Sequence, residues 1–287
     1  MQDALWKKLR IGIVGAGRVG GNIAFQLARR GWHIASIFSR TDASARKVAN
    51  AVMTGVAPTL ESLFKHCDVA ILTVGDSALP ELCEQIQDFQ HTTVRTLVHC
   101  SGVLPSSILG LAGLEFAKVS MHPIASIPPF PAKSNPFNGV IFGVEGDDFG
   151  VELARQLIAD LDGKAQIIDP TMKPLYHAAG AFGSNFVYVL LAICEELLRE
   201  SGLPRDAAIK GTATLAKKSI ENYLKFGLPV GMTGPVARGD VATIAMHIEA
   251  LRNSPYRELY LVASRIAAEL AGKGEALAEI LAHDETK

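Results

Sequence analysis

The stretch IGIVGAGRVGG, residues 11–21, constrains this chain more than any other feature of its sequence. Its glycines have the spacing GxGxxG, and they stand between an apolar run and a segment with helical spacing of apolar residues. Such a turn is typical of a dinucleotide site, because the backbone can approach a pyrophosphate and the helix N-terminus offers free N–H groups. A glycine-rich turn without a ligand is the alternative. The sequence therefore predicts a cofactor loop made of Gly15, Ala16, Gly17, Arg18, Val19 and Gly20.

The residues after the second predicted strand, His33 to Phe38, indicate which dinucleotide is bound. In NAD sites an acidic residue about 20 positions beyond the glycines bonds the ribose hydroxyls. That place is taken here by Ser39, Arg40 and Thr41. A guanidinium between two hydroxyls suits a 2′-phosphate, so the predicted cofactor is NADP. In the alternative, which can hold at the same time, Thr41 or Asp42 caps the following helix.

Small or polar residues follow two later strands. The apolar run DVAILTV, residues 68–74, ends in glycine and aspartate, and a strand near residues 96–100 ends in serine and glycine. Ligands of open α/β sheets bind at such strand ends. We therefore expect further cofactor contacts from Val74, Gly75, Asp76, Ser101 and Gly102. For Asp76 the alternative is that it only caps the next helix.

The character of the sequence changes near residue 170. Before it, strand and helix patterns alternate, with a proline-rich loop over residues 124–138. Beyond it, long helical patterns cover residues 173–201, 205–226, 240–253 and 256–271. We predict an α/β protein. Residues 1–169 form a Rossmann-type, doubly wound and mainly parallel sheet that binds NADP, and residues 170–287 form an all-α domain for substrate binding and dimerisation.

Composition and charge exclude several classes of protein. The formal net charge is −1, so no basic face for nucleic acid or anionic lipid is implied. The start of the chain lacks the apolar core of a signal peptide, and we expect a cytoplasmic protein. The apolar run Ala178 to Cys194 is short and broken by polar residues, which favours a buried helix over a membrane span. The four cysteines show no metal-ligand spacing, so reduced thiols and no metal site are predicted.

One helix of the second domain carries the leading candidates for chemistry. In TMKPLYHAAGAFGSNFVYVL, helical spacing places His177, Ser184 and Tyr188 on one face, together with small residues. We expect this face to line the cofactor and substrate. His177 is the leading proton donor, because imidazole titrates near neutral pH, and an interface histidine is its alternative. Ser184 and Asn185 would position the substrate, unless Asn185 satisfies backbone groups at a kink near Gly183.

Other polar residues are weaker candidates. His122, in the motif MHP, ends a strand near the expected nicotinamide and is the rival acid or base. Lys173, one turn before His177, is expected to be a solvated residue of the first helical turn, with a catalytic role as the alternative. Arg238 could bind a substrate carboxylate and is left undecided, whereas Asp240 is expected to cap a helix. The remaining histidines lack a comparable context.

Motifs along nearly the whole chain carry a resemblance to a known family: GAGRVG, SRT, HCSGVLPSSIL, MHP, YHAAGAFGSNF and GPVARGD. The chain resembles oxidoreductases made of a Rossmann-like domain and a C-terminal domain of unknown function, number 2520. More distantly it is similar to pyrroline-5-carboxylate reductases, ketopantoate reductases and β-hydroxyacid dehydrogenases. The resemblance implies an NADP-binding fold and dimerisation through the helical domain, and it supplies no substrate. In β-hydroxyacid dehydrogenases a catalytic Lys precedes an Asn by one helical turn, but here Ala181 stands one turn before Asn185.

The leading functional hypothesis is an NADP-dependent oxidoreductase. It would move a hydride between nicotinamide and a small carbonyl, imine or hydroxy-acid substrate in a cleft between the domains, with His177 or His122 handling the proton. The missing lysine motivates the alternative, a non-catalytic NADP(H)-binding sensor or regulatory protein. The expected partners are the small substrate and a second copy of the chain, with no nucleic acid and no membrane.

Overall fold

The computed structural model describes residues 6–112 and 116–282, and it contains one eight-stranded sheet in the order β3-β2-β1-β4-β5-β6-β7-β8. The strands are β1 Arg10–Val14, β2 His33–Phe38, β3 Gly55–Val56, β4 Val69–Leu72, β5 Thr96–His99, β6 Ala117–Pro123, β7 Ile141–Gly146 and β8 Lys164–Ile167. All neighbouring pairs are parallel except β6 and β7. The predicted α/β fold with a mainly parallel sheet is confirmed. The very short β3 was not predicted.

Helices connect the strands and then fill the second half of the chain. Those up to residue 183 are α1 Arg18–Arg29, α2 Asp42–Ala51, α3 Leu60–Phe64, α4 Leu79–Gln87, α5 Asp148–Asp160 and α6 Lys173–Gly183. The later ones are α7 Asn185–Glu200, α8 Arg205–Phe226, α9 Pro235–Arg238, α10 Val241–Ala250, α11 Arg257–Leu270 and α12 Gly274–Leu277. Short 3₁₀ segments occupy Asp76–Ala78, Ser106–Ala112 and Pro170–Met172.

Both faces of the sheet are covered, which explains the uninterrupted apolar run in β4. Its residues alternate between two apolar clusters: Val69 and Ile71 pack into one, and Ala70 and Leu72 into the other. A strand buried on both faces needs apolar residues at every position, so its sequence lacks the polar alternation of a half-exposed strand. The carboxyl ends of β1, β4, β5 and β6 meet at one edge, because these strands run parallel.

The chain divides into two compact units, residues 1–185 and 186–287. Helix α6 thus belongs to the same unit as the sheet, whereas the domain boundary that the sequence predicts lies before it, at residue 169. The prediction of a single helix over residues 173–201 is wrong, because Ser184, with φ −126° and ψ −72°, separates two helices there.

The second unit has a small apolar core and a large exposed apolar surface. The core comprises Ile244, Leu261, Ala268, Leu277 and Leu281. The prediction that Ala178 to Cys194 forms a buried helix is wrong for the single chain, since α7 has no buried residue among those described. Residues 170–200 are long and apolar enough to cross a membrane by length and composition, but one such helix is weak evidence for a span.

Candidate functional site

The glycines of the first turn are needed for different structural reasons. Gly15 has φ +101°, and a Cβ on Gly20 would collide with the carbonyl of Gly15 and the hydroxyl of Thr73. That hydroxyl donates to the Gly15 carbonyl at 2.7 Å, so these two glycines are required by the protein's own packing. A Cβ on Gly17 would meet no atom within 4 Å. The absence of a side chain there leaves free space above the backbone, as a phosphate group of a dinucleotide requires.

A cleft of about 490 Å³ lies beside this turn. Many of its lining residues are ones that the sequence predicts to bind the cofactor: Gly15, Ala16, Gly17, Ser39, Arg40, Thr41, Val74 and Gly75. Arg40 is exposed, and it also lines an adjoining space of about 630 Å³ with Asp42 and Arg46. The residues present therefore fit a dinucleotide that carries an extra phosphate beside its adenosine ribose.

The capping alternatives near this cleft are wrong. Thr41 stands at the N-cap position of α2 but its side chain makes no capping bond, and Asp42 instead pairs with Arg46 at 2.6 Å. Asp76 opens a 3₁₀ turn whose N-cap is Gly75, and the N-cap of α4 is Ala78. The side chains of Thr41 and Asp76 are therefore not used as helix caps.

Two other predicted loop residues lie at the start of α1. Val19 packs against the apolar core, whereas Arg18 is exposed. Neither lines the cleft. Both remain predicted cofactor contacts through their backbone N–H groups at the helix start.

The two rival histidines meet at one place. His122 lies on β6, and Ser101 and Gly102 follow the adjacent parallel strand β5. His177 comes from the second turn of α6. A Cβ on Gly102 would collide with His177 Nδ1 and lie 2.8 Å from His122 Nε2, so both imidazoles pack directly against this glycine. The ring centroids are 5.7 Å apart. The two histidines are thus neighbours in one site.

Tyr176 joins the end of β6 to α6, and the sequence analysis missed it. Its hydroxyl contacts three groups: it donates to the carbonyl of His122 at 3.0 Å, accepts from the backbone N–H of Gly143 at 3.2 Å, and lies 3.1 Å from His122 Nδ1. A Cβ on Gly143 would lie 2.7 Å from the phenol ring, so glycine at this place of β7 lets the tyrosine approach the sheet. The phenol therefore holds the imidazole of His122 to the backbone.

Lys173 was predicted to be solvated, and that prediction is wrong. Its side chain is fully buried, and Nζ donates to the Ser101 carbonyl at 3.0 Å and to the Ser120 hydroxyl at 2.6 Å. The carboxylate of Glu145 lies 3.6 Å from Nζ and accepts two bonds from Ser106, one from its N–H and one from its hydroxyl. A buried ammonium requires such partners.

A sequence signal for this cluster existed. Lys173, Tyr176 and His177 stand at positions i, i+3 and i+4 of one helix, and therefore on one face. The prediction followed this face from His177 towards the C-terminus, assigned Lys173 in the turn before it to solvent, and did not consider Tyr176.

Burial and neighbouring charges lower the pKa values of His122 and His99. Burial lowers the pKa of His122 to about 4, with further lowering by His177 and Lys173 and an opposing effect of Asp76. Burial also lowers the pKa of His99 to about 3, and Lys173 adds to this effect. The pKa of Lys173 itself is lowered by burial, against the attraction of Glu145. At neutral pH, His122 and His99 are therefore uncharged.

Asp76 connects the cleft with the histidines. It follows Gly75, which lines the cleft, and its carboxylate acts electrostatically on both His122 and Lys173. The nucleotide cleft and the histidine site are therefore neighbours at the same edge of the sheet, where ligands of open α/β sheets bind.

The remaining predicted residues lie elsewhere. Ser184 and Asn185 stand at the break between α6 and α7, and no contact of theirs with the histidines occurs in the described part of the chain. Asp240 caps α10 by accepting from the N–H of Thr243 at 3.1 Å, as predicted, and Arg238 lies 4.0 Å from it. Residues 6–112 and 116–282 contain no cluster of ligands that could hold a metal ion.

Comparison with family models gives two matches. Residues 10–97 match a family described as NADP oxidoreductase, coenzyme F420-dependent, and residues 140–266 match a domain of unknown function, number 2520. The resemblance that the motifs indicate is confirmed over these residues. Comparison with curated proteins gives no match.

Solved structures share the fold. A protein from Bacteroides fragilis, provisionally assigned as an NADP oxidoreductase, is 24% identical with a TM-score of 0.76, covering 92% of this chain and 99% of that chain. A protein from Thermotoga maritima is 25% identical with a TM-score of 0.72, with the same coverage of 92% and 99%. Pyrroline carboxylate reductase from Plasmodium falciparum, solved with NADP bound, is 16% identical with a TM-score of 0.59, covering 93% and 99%. The matches together support an oxidoreductase that binds NADP.

Proposed function

We propose that the protein moves a hydride between NADP and a small carbonyl, imine or hydroxy-acid substrate held beside His122 and His177. The observation that carries this proposal is the convergence of both imidazoles above Gly102, next to a nucleotide cleft. When bound, NADP supplies or accepts the hydride. Its phosphates would be held by the glycine turn, and its 2′-phosphate by Arg40 with Ser39 and Thr41.

The protein's own groups would handle the proton of this reaction. Hydride delivery to a carbonyl or imine leaves a heteroatom that needs a proton, and an imidazole within hydrogen-bond reach can supply it. His177 is exposed and can exchange protons with solvent, whereas His122 is partly buried and uncharged at neutral pH. Ser184 and Asn185 stay predicted substrate contacts, and completion of the site by the helical half stays a prediction.

A turnover screen tests the proposed activity. The full chain is mixed with NADPH and panels of ketoacids and imines, or with NADP⁺ and hydroxy acids, and absorbance of the reduced nicotinamide is followed. We expect turnover with at least one class and loss of it in His122→Asn. Tight NADPH binding without turnover on any panel would contradict the proposal and support the sensor alternative.

Nucleotide binding is tested separately with two glycine variants. Gly17→Ala introduces a Cβ into space that no protein atom occupies, so the fold should be kept while the phosphates are obstructed. We expect NADPH affinity, measured by calorimetry, to fall at least about tenfold, an effect of about 1.4 kcal/mol. Gly55→Ala is the matched control, because its Cβ is also free of contacts and it lies outside the cleft lining. Equal affinity in both variants would contradict the assigned phosphate site.

The choice of NADP over NAD depends on Arg40. Arg40→Asp should weaken NADPH binding far more than NADH binding, because it replaces the phosphate ligand with a like charge. Equal loss of both would show that Arg40 does not contact the phosphate.

A second copy of the chain is the partner that we propose for the helical unit. Large apolar side chains are exposed on α7 and α8, for example Tyr188 at 67%, Leu215 at 62% and Leu224 at 77%. So many exposed large apolar side chains on two helices favour an interaction surface. The last turns of α7 carry Glu195, Glu196 and Glu200, which disfavours burial in lipid.

Sedimentation equilibrium tests this partner. We expect the wild-type chain to be a dimer and the double variant Leu215→Glu with Leu224→Glu to be a monomer. A monomeric wild-type chain would contradict this proposal.

We propose the cytoplasm as the compartment of this protein. All four cysteines are free thiols, which fits a reducing compartment.

A further inference from the structure

We propose that Tyr176 is a positioning residue that fixes His122 in the Nδ1–H form, so that Nε2, next to Gly102, carries the lone pair and acts as a proton acceptor. This inference rests on the proposed function for its chemical meaning, but not for its geometry. It assigns different tasks to the two histidines, which the sequence treats as rivals. It also assigns a task to Tyr176, which the sequence analysis quoted in a motif but did not name as a candidate.

The argument begins with the hydrogens around the phenol oxygen of Tyr176. The carbonyl oxygen of His122 carries no hydrogen, so the 3.0 Å contact between the two oxygens must contain the hydrogen of the phenol. The phenol oxygen then has only lone pairs left. The N–H of Gly143 points at it from 3.2 Å, and His122 Nδ1 lies 3.1 Å from it. Each of these two contacts can be a hydrogen bond only if the nitrogen is the donor.

The other tautomer leaves a repulsive contact. If Nδ1 carried the lone pair, the phenol hydrogen would be needed between Tyr176 and Nδ1. The phenol oxygen and the His122 carbonyl oxygen would then face each other at 3.0 Å with no hydrogen between them. Unsatisfied or repelling polar atoms in a partly buried place are costly, so the Nδ1–H form is favoured.

Fixing Nδ1–H determines what the other nitrogen does. A neutral imidazole has one donor and one acceptor, so Nε2 of His122 has the lone pair. Nε2 of His122 lies 2.8 Å from the position of a Cβ on Gly102, and His177 Nδ1 packs against the same glycine. A substrate hydroxyl or amine N–H that reaches the free side of Nε2 can donate to it.

Burial keeps His122 uncharged and ready to accept a proton. Among its charged and titratable neighbours, His177 and Lys173 on α6 lower its pKa further, whereas the carboxylate of Asp76, after β4, favours the protonated form. His122 in turn lowers the pKa of His99 on β5. In the oxidation direction the O–H or N–H bond of the substrate breaks and its proton forms a bond to Nε2. His177 is exposed and can pass that proton to solvent, and reduction reverses the same transfer.

The substrate class follows from the acceptor. The reduced form of the substrate must carry a hydrogen-bond donor, a hydroxyl or an amine, on the carbon that loses the hydride. A neutral imidazole with its lone pair on Nε2 has no hydrogen there to donate to the oxygen of a carbonyl substrate. In the reduction direction, Nε2 must therefore first receive a proton from His177 or from solvent. The chemistry thus favours alcohols and amines as the ligands that His122 recognises.

The chain offers a matched control in its second unit. Nδ1 of His247 lies 2.9 Å from the hydroxyl of Tyr260, and this pair is exposed. Among described residues, the Tyr260 hydroxyl has no backbone partner, and Ser264 is its other neighbour. The phenol can donate to or accept from the imidazole, so the surroundings do not fix the tautomer of His247.

Nitrogen NMR on the full chain tests the inference without any substrate. Long-range proton–nitrogen correlations of ¹⁵N-labelled protein at pH 7 distinguish a protonated from an unprotonated ring nitrogen, and the spectrum of His122→Asn assigns the signals. We expect His122 as the pure Nδ1–H form in the wild type and in Tyr260→Phe, and a mixed or Nε2–H form in Tyr176→Phe. A wild-type His122 protonated on Nε2, or a tautomer unchanged by Tyr176→Phe, would overturn the inference.

A kinetic readout separates positioning from folding. Once a substrate is known, Tyr176→Phe should lower kcat about tenfold or more with little change in NADPH affinity, because the nucleotide cleft is untouched. If His122 has the expected tautomer but the protein shows no turnover, only the proposed activity is contradicted. If the protein turns over a substrate but His122 has the other tautomer, only the role of Tyr176 is contradicted.

Discussion

Two histidine–tyrosine pairs in this protein have nearly the same contact and different surroundings. The rings of His122 and Tyr176 are 5.4 Å apart at 78°, and those of His247 and Tyr260 are 5.8 Å apart at 80°. The first pair joins a strand end to a helix, with backbone groups of β6 and β7 on the phenol. The second joins two helices at the surface. The pairwise contact alone therefore does not make a site.

The surroundings of the first pair provide what the second lacks. Gly102 lets both imidazoles approach the backbone closely, and the buried ammonium of Lys173 lies near them. These features fix one protonation form and leave one acceptor directed at a possible ligand. The lesson is that chemistry depends on the groups that determine where the hydrogens are, more than on the pair itself.

The largest expected difference between the pairs is in turnover. His122→Asn keeps a donor at the Nδ1 position, for Tyr176, but removes the Nε2 acceptor. We expect kcat/KM on the substrate found by the screen to fall about 10²–10⁴-fold, the usual contribution of general acid–base catalysis. His247→Asn should leave it unchanged. A similar effect of both substitutions would remove the distinction between the pairs.

The next effect concerns the buried ammonium behind the first pair. Lys173→Met leaves Glu145 as an uncompensated buried charge, and breaking a buried pair in this way costs about 3–5 kcal/mol of unfolding free energy. Lys217→Met is the control, because its bond to Glu221 is 3.8 Å long and exposed, and exposed pairs contribute about 1 kcal/mol or less. Urea unfolding measures both. Equal losses would show that the buried cluster does not stabilise the sheet edge.

Stability against acid should also distinguish the histidines. The pKa of His122 in the folded protein is about 4, below its unfolded value of about 6.5. The unfolded chain therefore binds the proton more strongly, so stability is fully present above pH 6.5 and is lost as the pH falls towards 4. We expect His122→Asn to flatten this decline by up to about 3 kcal/mol, at about 1.4 kcal/mol per pKa unit.

The control for this pH dependence is His247→Asn. Urea unfolding of both variants and the wild type at a series of pH values between 4 and 7 gives the slopes. An unchanged slope in His122→Asn would mean that the surroundings do not hold its imidazole uncharged.

The smallest expected effect comes from adding a side chain at Gly102. In Gly102→Ala the new Cβ would crowd His177 Nδ1 and His122 Nε2, so the rings must move apart. We expect about a tenfold loss of kcat with NADPH affinity kept, since small misplacements of catalytic groups are costly. Gly110→Ala, whose Cβ meets nothing within 4 Å, should behave as wild type. Full activity of Gly102→Ala would show that the rings need not converge.

Local sequence patterns predicted the sheet and the glycine turn well. The uninterrupted apolar run of β4 and the GxGxxG spacing are properties of neighbouring residues, and the structure has the strand and the glycine turn where they were expected. Arg40 stands after β2 where NAD sites have an acidic residue, and the sequence therefore predicted that it binds the cofactor. In the structure Arg40 lines the nucleotide cleft.

The buried cluster could not be read in the same way. Lys173 is usually a surface residue type, and only pairing with Glu145, which is distant in sequence, explains its burial. Tyr176 is defined by contacts to two strands that the chain reaches through loops. Ser184 breaks a helix whose apolar pattern continues across it, so periodicity alone predicted one helix. Contacts of this kind depend on tertiary packing.

The most direct test of the central claim needs no substrate. The claim is that the histidine site above Gly102 is where the nicotinamide end of the cofactor acts. NADP⁺ is titrated into ¹⁵N-histidine-labelled protein, and the imidazole signals of His122, His177 and His247 are followed. We predict saturable shifts of His122 and His177 with one common binding constant, and no shift of His247. Saturable binding of NADP⁺ that leaves His122 and His177 unchanged would contradict the account.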